Sequence, residues 1–186
     1  MKKNFIFIIA LFFIGCETSS TPNSIDTTIN FNANALIGTW RDANEKAEEA
    51  TIKRTYTKDN LVKTKAIFDD FIEESIAYYV AQNLGNDIYL VVTCATSFQQ
   101  NCSLALHEVK GSKTRFPRFA KGSSIGKSKA TAALQPCSFL SEKDAVIECV
   151  QYALSSHSDV TAFTKTLLPS GALPSDEYNT LTLVKE

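Results

Sequence analysis

The sequence predicts a mainly β domain, an antiparallel barrel or sandwich with one or two short helices, behind an export leader. Three observations point there. Short runs rich in Val, Ile, Thr, Tyr and Phe recur between turn signals, as in all-β folds. Ten consecutive apolar residues, 5–14, follow a basic start, and four cysteines lie in the body of the chain. At 186 residues, 44% hydrophobic and 21% charged, the chain has the size and composition of one globular domain plus a tail. That composition fits neither a wholly disordered chain nor a polytopic membrane protein. Lys and Arg number 19 against 20 Asp and Glu, a net charge of -1, which argues against nucleic acid as a partner on overall charge.

The leader comes first. Met1-Lys2-Lys3-Asn4 is basic, and the apolar run from Phe5 to Ile14 is half the roughly 20 residues that cross a bilayer. It suits the apolar region of a secretory signal. The run closes on Phe13-Ile14-Gly15-Cys16, and there the segment resembles a bacterial lipoprotein signal peptide, with Phe13 at a place usually held by Leu. The resemblance implies that residues 1–15 are removed and that Cys16 is acylated. It also implies a place in the bacterial cell envelope, anchored by lipid to a membrane outside the cytosol, at the outer membrane or the periplasmic face. Loss of Lys2 and Lys3 leaves 17 basic against 20 acidic side chains. Two or more acyl chains anchor stably where one is marginal. Residues 16–34, rich in Ser, Thr, Asn and Pro, read as a flexible tether. Residues 35–186 read as a single β-rich domain.

With Cys16 assigned to lipid, Cys94, Cys102, Cys137 and Cys149 remain. An even count in an exported domain points to disulfides, in any of three pairings. Cys94–Cys102 and Cys137–Cys149 are favoured because each pair flanks a polar stretch that can reverse the chain. Their spacing does not match structural zinc sites, and no metal or other cofactor is expected.

Along the domain, strands are predicted at 36–41, 50–56 and 61–68. In 50–56, Ala50, Ile52 and Tyr56 face one way and Thr51, Lys53 and Thr55 the other. Lys58-Asp59-Asn60 marks the turn into the next strand. Further strands are predicted at 88–93, 102–109, 145–152 and 180–184, with weaker ones in 130–140. A short helix is predicted at 159–168 with Asp159 as N-cap.

The segment 66–82 admits two readings. Ile67, Phe68, Phe71, Ile72, Ile76, Tyr79 and Val80 recur at helical spacing, with Asp69, Asp70, Glu73 and Glu74 opposite and Gly85 available as a cap. Ile76 to Val80 has strong strand propensity and leads through 83–87 into the next strand. Strand is favoured; a helix there makes the fold α+β.

Gly38-Thr39-Trp40 in the first strand, with Tyr178 to Lys185 as terminal strand, resembles the lipocalin-like (calycin) barrels of bacterial envelope lipoproteins. The resemblance implies an up-and-down barrel. Gly38 would let the chain bend, Trp40 would plug the closed end, and the mouth would hold a small apolar ligand. Lys185 is the nearest candidate for the Arg that stacks on the Trp in many lipocalins.

Chemistry-bearing motifs are near misses, and no enzyme activity is predicted. Gly122 to Ser128 approaches a phosphate-binding loop but has three residues between its glycines where four are needed. Ser155-Ser156-His157-Ser158-Asp159 holds the residue types of a hydrolase triad, yet such triads are defined by geometry, and a polar turn is the better reading. His107 is expected half-exposed on its strand. Asp69, Asp70, Glu73 and Glu74 are expected on a solvated face.

The one uneven charge feature is a basic loop at 110–129, with Lys110, Lys113, Arg115, Arg118, Lys121, Lys127 and Lys129 and no acidic residue. It would favour an anionic partner at short range. Two functions are therefore expected of a membrane-anchored chain. One is a barrel that binds a small apolar ligand. The other is an adhesin-like or inhibitory module that meets an anionic partner through 110–129.

Overall fold

The structure is a computed structural model that describes residues 29–43, 51–68, 71–96, 101–119, 123–167 and 178–186. Cys16, the leader and most of the tether lie outside the described residues, as do Asp69, Asp70 and Lys121.

Among the described residues eight strands form: β1 (Gly38–Asp42), β2 (Thr51–Tyr56), β3 (Leu61–Ile67), β4 (Ile72–Gly85), β5 (Ile88–Ala95), β6 (Cys102–Lys110), β7 (Lys113–Pro117) and β8 (Tyr178–Lys185). Each pairs antiparallel with its neighbour in sequence, and β8 pairs back onto β1 to close a barrel. Closure leaves no free sheet edge. Between β7 and β8 come three helices, α1 (Ser124–Ser138), α2 (Lys143–Ser156) and α3 (Ser158–Leu167). The fold is mainly β, with three helices where one or two were expected.

The two-residue period of the strands sorts side chains into two cores. Trp40, Tyr56, Val62, Tyr79, Tyr89, Val91, Val109, Phe116 and Leu183, drawn from all eight strands, fill the interior. Val80, Leu90, Val92, Leu104 and Leu106 point outward against Leu134, Val150, Leu154, Val160 and Phe163 of the helices. β5, β6 and residues 77–84 of β4 are thus covered on both faces, which makes their sequences read as near-continuous apolar runs. That explains the ambiguity at 66–82. The apolar residues of β4 serve two cores, Tyr79 and Ala81 inside and Val80 and Leu84 under the helices. Residues 66–67 end β3 and residues 72–82 belong to β4, so the described part of the segment is not helical and the α+β alternative does not hold.

Two predicted strands are helices. Residues 145–152 lie in α2, where Val146, Val150, Ala153 and Leu154 are buried; this i, i+4, i+7, i+8 spacing is one helical face. Residues 130–140 fall largely in α1, with Ala130, Leu134 and Cys137 buried. The predicted helix at 159–168 appears as α3, beginning at Ser158. Residues 30–34, assigned to the tether, already touch the domain. The Asn83 N–H donates to the Asn30 carbonyl at 2.8 Å, and Phe31 packs on the helix-side core.

Two disulfides are present. Cys94–Cys102 joins directly opposed residues of β5 and β6, and Cys137–Cys149 joins α1 to α2. Each closes a short loop, for which chain entropy contributes roughly 2.5–3 kcal/mol.

The two ends of the barrel differ. One carries the tight turns: Asn86 and Asp87, both at positive φ (50° and 63°), join β4 to β5, and Gly111 (φ 57°) begins the turn from β6 to β7. Paired positive φ values match the twist of a two-residue hairpin. The other end receives the longer connections β1–β2, β3–β4, β5–β6 and β7–β8.

Candidate ligand-binding cup

Trp40 packs inside the barrel on β1, the strand that starts at the tight-turn end. It is fully buried, its indole Nε1 donates to the Leu36 carbonyl at 2.6 Å, and Lys185 Nζ stands 5.4 Å from its ring centroid. Trp40 and Lys185 are opposed residues of β1 and β8, so a cation–π contact follows from register. Gly38 takes φ +130°, and a Cβ there would meet Lys185 Cε at 2.7 Å. Glycine therefore meets two needs at once, a backbone angle that side chains resist and room for the lysine stem.

Moving away from Trp40, the interior changes character. Tyr56, Tyr79, Val91, His107 and Phe116 are buried. At the next inward register positions the side chains are small. Ala77 opposes Ala95, Val91 opposes Ala105 and Thr93 opposes Ser103. Ala77, Thr93 and Ala105 are half-buried, while Ser75 and Ser103 are exposed although they face inward. The Thr93 and Ser103 hydroxyls are hydrogen-bonded at 2.8 Å in an exposed position. Water therefore reaches the inner wall of the sheet in this half. An eight-stranded barrel is wide enough either to be filled by side chains or to hold one small ligand. Here the first arrangement occupies the closed half and small residues line the open one.

Between the halves lies a polar cluster. The Tyr56 ring meets Tyr79 edge-on at 5.1 Å and His107 at 6.0 Å; His107 meets Phe116 at 4.6 Å; the Arg54 guanidinium lies 5.3 Å from the Phe116 centroid. Burial, and secondarily the Arg54 charge, lowers the His107 pKa to about 3, so the imidazole is neutral at physiological pH. Burial raises the Tyr56 phenol above its ordinary value despite the opposing pull of Arg54. Burial, with Tyr56 beside it, pushes the Tyr79 phenol up to about 12, and its hydroxyl donates to the Thr57 carbonyl at 2.9 Å. Sequence reasoning expected His107 to be half-exposed; it is 2% exposed, because its strand position turns it into the barrel. Arg54 was missed. The available signal was its position between Ile52 and Tyr56 on the apolar face of a strand, where a charge is unexpected.

The basic stretch 110–129 is not one loop. Lys110 and Lys113 flank the turn at the closed end, and Arg115 lies on β7. Lys110 and Arg115 both pair with the buried Glu108 carboxylate. Burial raises the Glu108 pKa, but hydrogen bonds and charge from Lys110 and Arg115 prevail and hold it below its ordinary value. Arg118 follows β7 at the opposite end, and Lys127 and Lys129 belong to α1, with Lys127 Nζ 4.5 Å from the Phe119 ring centroid. A basic wall that the sequence did not suggest lies outside β2 to β4. A groove of about 330 Å³ there is lined by Lys53, Lys63, Lys65, Glu74 and Ile76, with Lys65 paired to Glu74 at 3.1 Å. Glu73 and Glu74 are strand residues of β4.

The near-miss motifs dissolve into ordinary structure. Ser124 to Ser128 open α1. Ser155 to Asp159 span the junction of α2 and α3, where His157 Nδ1 accepts from the Asp159 N–H at 3.3 Å. Among the described residues no group of three metal-binding side chains occurs and no helix is long and apolar enough to cross a membrane.

Fold and interior together are those of a closed antiparallel barrel whose inward side chains pass from buried aromatics to small, partly exposed residues. Comparison with protein-family models, with characterised proteins and with solved structures returns no match.

Proposed function

We propose that this chain is a lipocalin-like binding protein of the bacterial envelope, held to a membrane through acylated Cys16, that takes a small apolar ligand into the open half of its barrel. The observation that supports this best is the gradient along the interior, from buried aromatics to small side chains reached by water. A barrel built only for stability would fill that half to the density of other cores. Around the β3–β4 connection Ile67, Phe71, Ile72 and Ile76 are exposed, and the Phe68 and Phe71 rings stack at 4.3 Å. An apolar margin suits exchange of an apolar ligand with the membrane that the leader implies. The anion-binding module is the less supported reading, because the basic residues of 110–129 are divided between two ends of the barrel and a helix.

The test is titration of the mature, delipidated chain with the neutral fluorescent probe N-phenyl-1-naphthylamine. Saturable one-to-one binding is expected. Emission that stays at its buffer value through micromolar protein would contradict the reading.

A further inference from the structure

We infer that the ligand is an amphiphile with a carboxylate head, bound head-down in the cup against Arg54. This rests on the binding-cup reading and adds the chemical class of the occupant. Four buried polar atoms among the described residues lack a hydrogen-bond partner: Arg54 Nε, His107 Nδ1, Thr114 Oγ1 and Gln82 Oε1. Three of them belong to inward-facing residues of the barrel. Thr114 shares the inward face of β7 with Phe116, whereas Gln82 lies on the helix-covered face of β4 with Val80 and Leu84. Buried polar atoms are normally satisfied, and orphaned ones that face a barrel interior mark a place where something polar can be held.

The sign of that partner follows from charge. Arg54 is a permanent cation, half-buried, and no carboxylate of the described residues is ion-paired with it. Asp42 and Glu73, the acidic residues at inward register positions, stand one inward row further toward the open end than Trp40, Arg54 and Ser75. The immediate neighbours of Arg54 are neutral: His107 resists protonation, Tyr56 resists ionisation, and Phe116 offers only its ring. An uncompensated guanidinium in a partly dry barrel is costly. An anion offsets that cost, and a planar carboxylate matches the fork of the guanidinium. A neutral imidazole and the Tyr56 hydroxyl can each donate to the same head. Small residues, Ala77, Thr93 and Ala105, line the way from the cluster to the open end, which suits an unbranched apolar tail leaving toward solvent or membrane.

The experiment compares decanoate with decanol, equal in chain length and different in head, by displacement of N-phenyl-1-naphthylamine from the mature, delipidated chain at pH 7.5. A charge-assisted contact predicts that decanoate binds about tenfold or more tighter. In Arg54→Gln the ratio should fall toward one, and in Arg54→Lys it should stay between the two. Equal affinity of acid and alcohol in the unaltered chain overturns the carboxylate assignment and leaves the cup standing. This arm needs no variant to fold. A preference for decanoate that survives in Arg54→Gln also overturns it. Failure of the probe itself to bind removes the cup and, with it, the head-group assignment.

Discussion

Single residues decide the closed half of the barrel. Trp40 and Lys185 meet because they are opposed across the β1–β8 seam, and Gly38 supplies the space that their contact needs. His107 shows what the interior demands of a titratable group. An unfolded histidine takes up its proton near pH 6.5, whereas His107 does so only near 3. Below pH 6.5 the unfolded chain therefore binds a proton that the native chain does not. The stability linked to this group is intact above pH 6.5 and is lost at up to about 1.4 kcal/mol per pH unit as pH falls toward 3. Urea unfolding between pH 6 and 4 should thus show a shallower loss of stability in His107→Gln than in the unaltered chain. Equal slopes would contradict the buried, neutral assignment. Gly38-Thr39-Trp40 was legible in the sequence as a pattern. Arg54 shares the face of Ile52 and Tyr56 by the two-residue period of the strand, but the strand alone does not say whether that face lines a barrel interior or meets solvent until the neighbouring strands close.

Elements were legible where one face is wet. β2 and β3 have a partly exposed outer face, alternate in sequence and fall close to their predicted bounds. Legibility fails where both faces are covered. β4 mixes two cores, and α2 was read as a strand because Ala145 to Tyr152 is rich in apolar residues whose helical period shows only when Ala153 and Leu154 are included. The helices have modest means of holding themselves. α1 has no acidic residue in its first turn and carries Pro136 in its last, so packing and the Cys137–Cys149 bridge to α2 dominate. Replacing both cysteines, Cys137→Ala with Cys149→Ala, should lower unfolding free energy by about 2–3 kcal/mol, measured from urea midpoints. An unchanged midpoint would show that α1 and α2 are held by packing alone.

At the scale of the whole molecule, one barrel does two jobs on opposite sides of its wall. Outside, β4 to β6 seat the helices; inside, the same strands pass from aromatic packing to small residues open to water. The sequence announced strands, turns and four cysteines besides Cys16, which is enough for a barrel or sandwich but not for an open half, since small inward residues look the same in a filled core. Whether a ligand occupies that half can be read from the accessibility of its wall. Occupancy is tested most directly by placing a thiol on the inner wall, Ala105→Cys, and following its alkylation in the mature chain with and without saturating N-phenyl-1-naphthylamine. A ligand held in the cup leaves a thiol that reacts readily when the cup is empty and is protected several-fold when it is filled; a thiol that reacts at the same rate in both states, with the probe demonstrably bound, would place the ligand elsewhere.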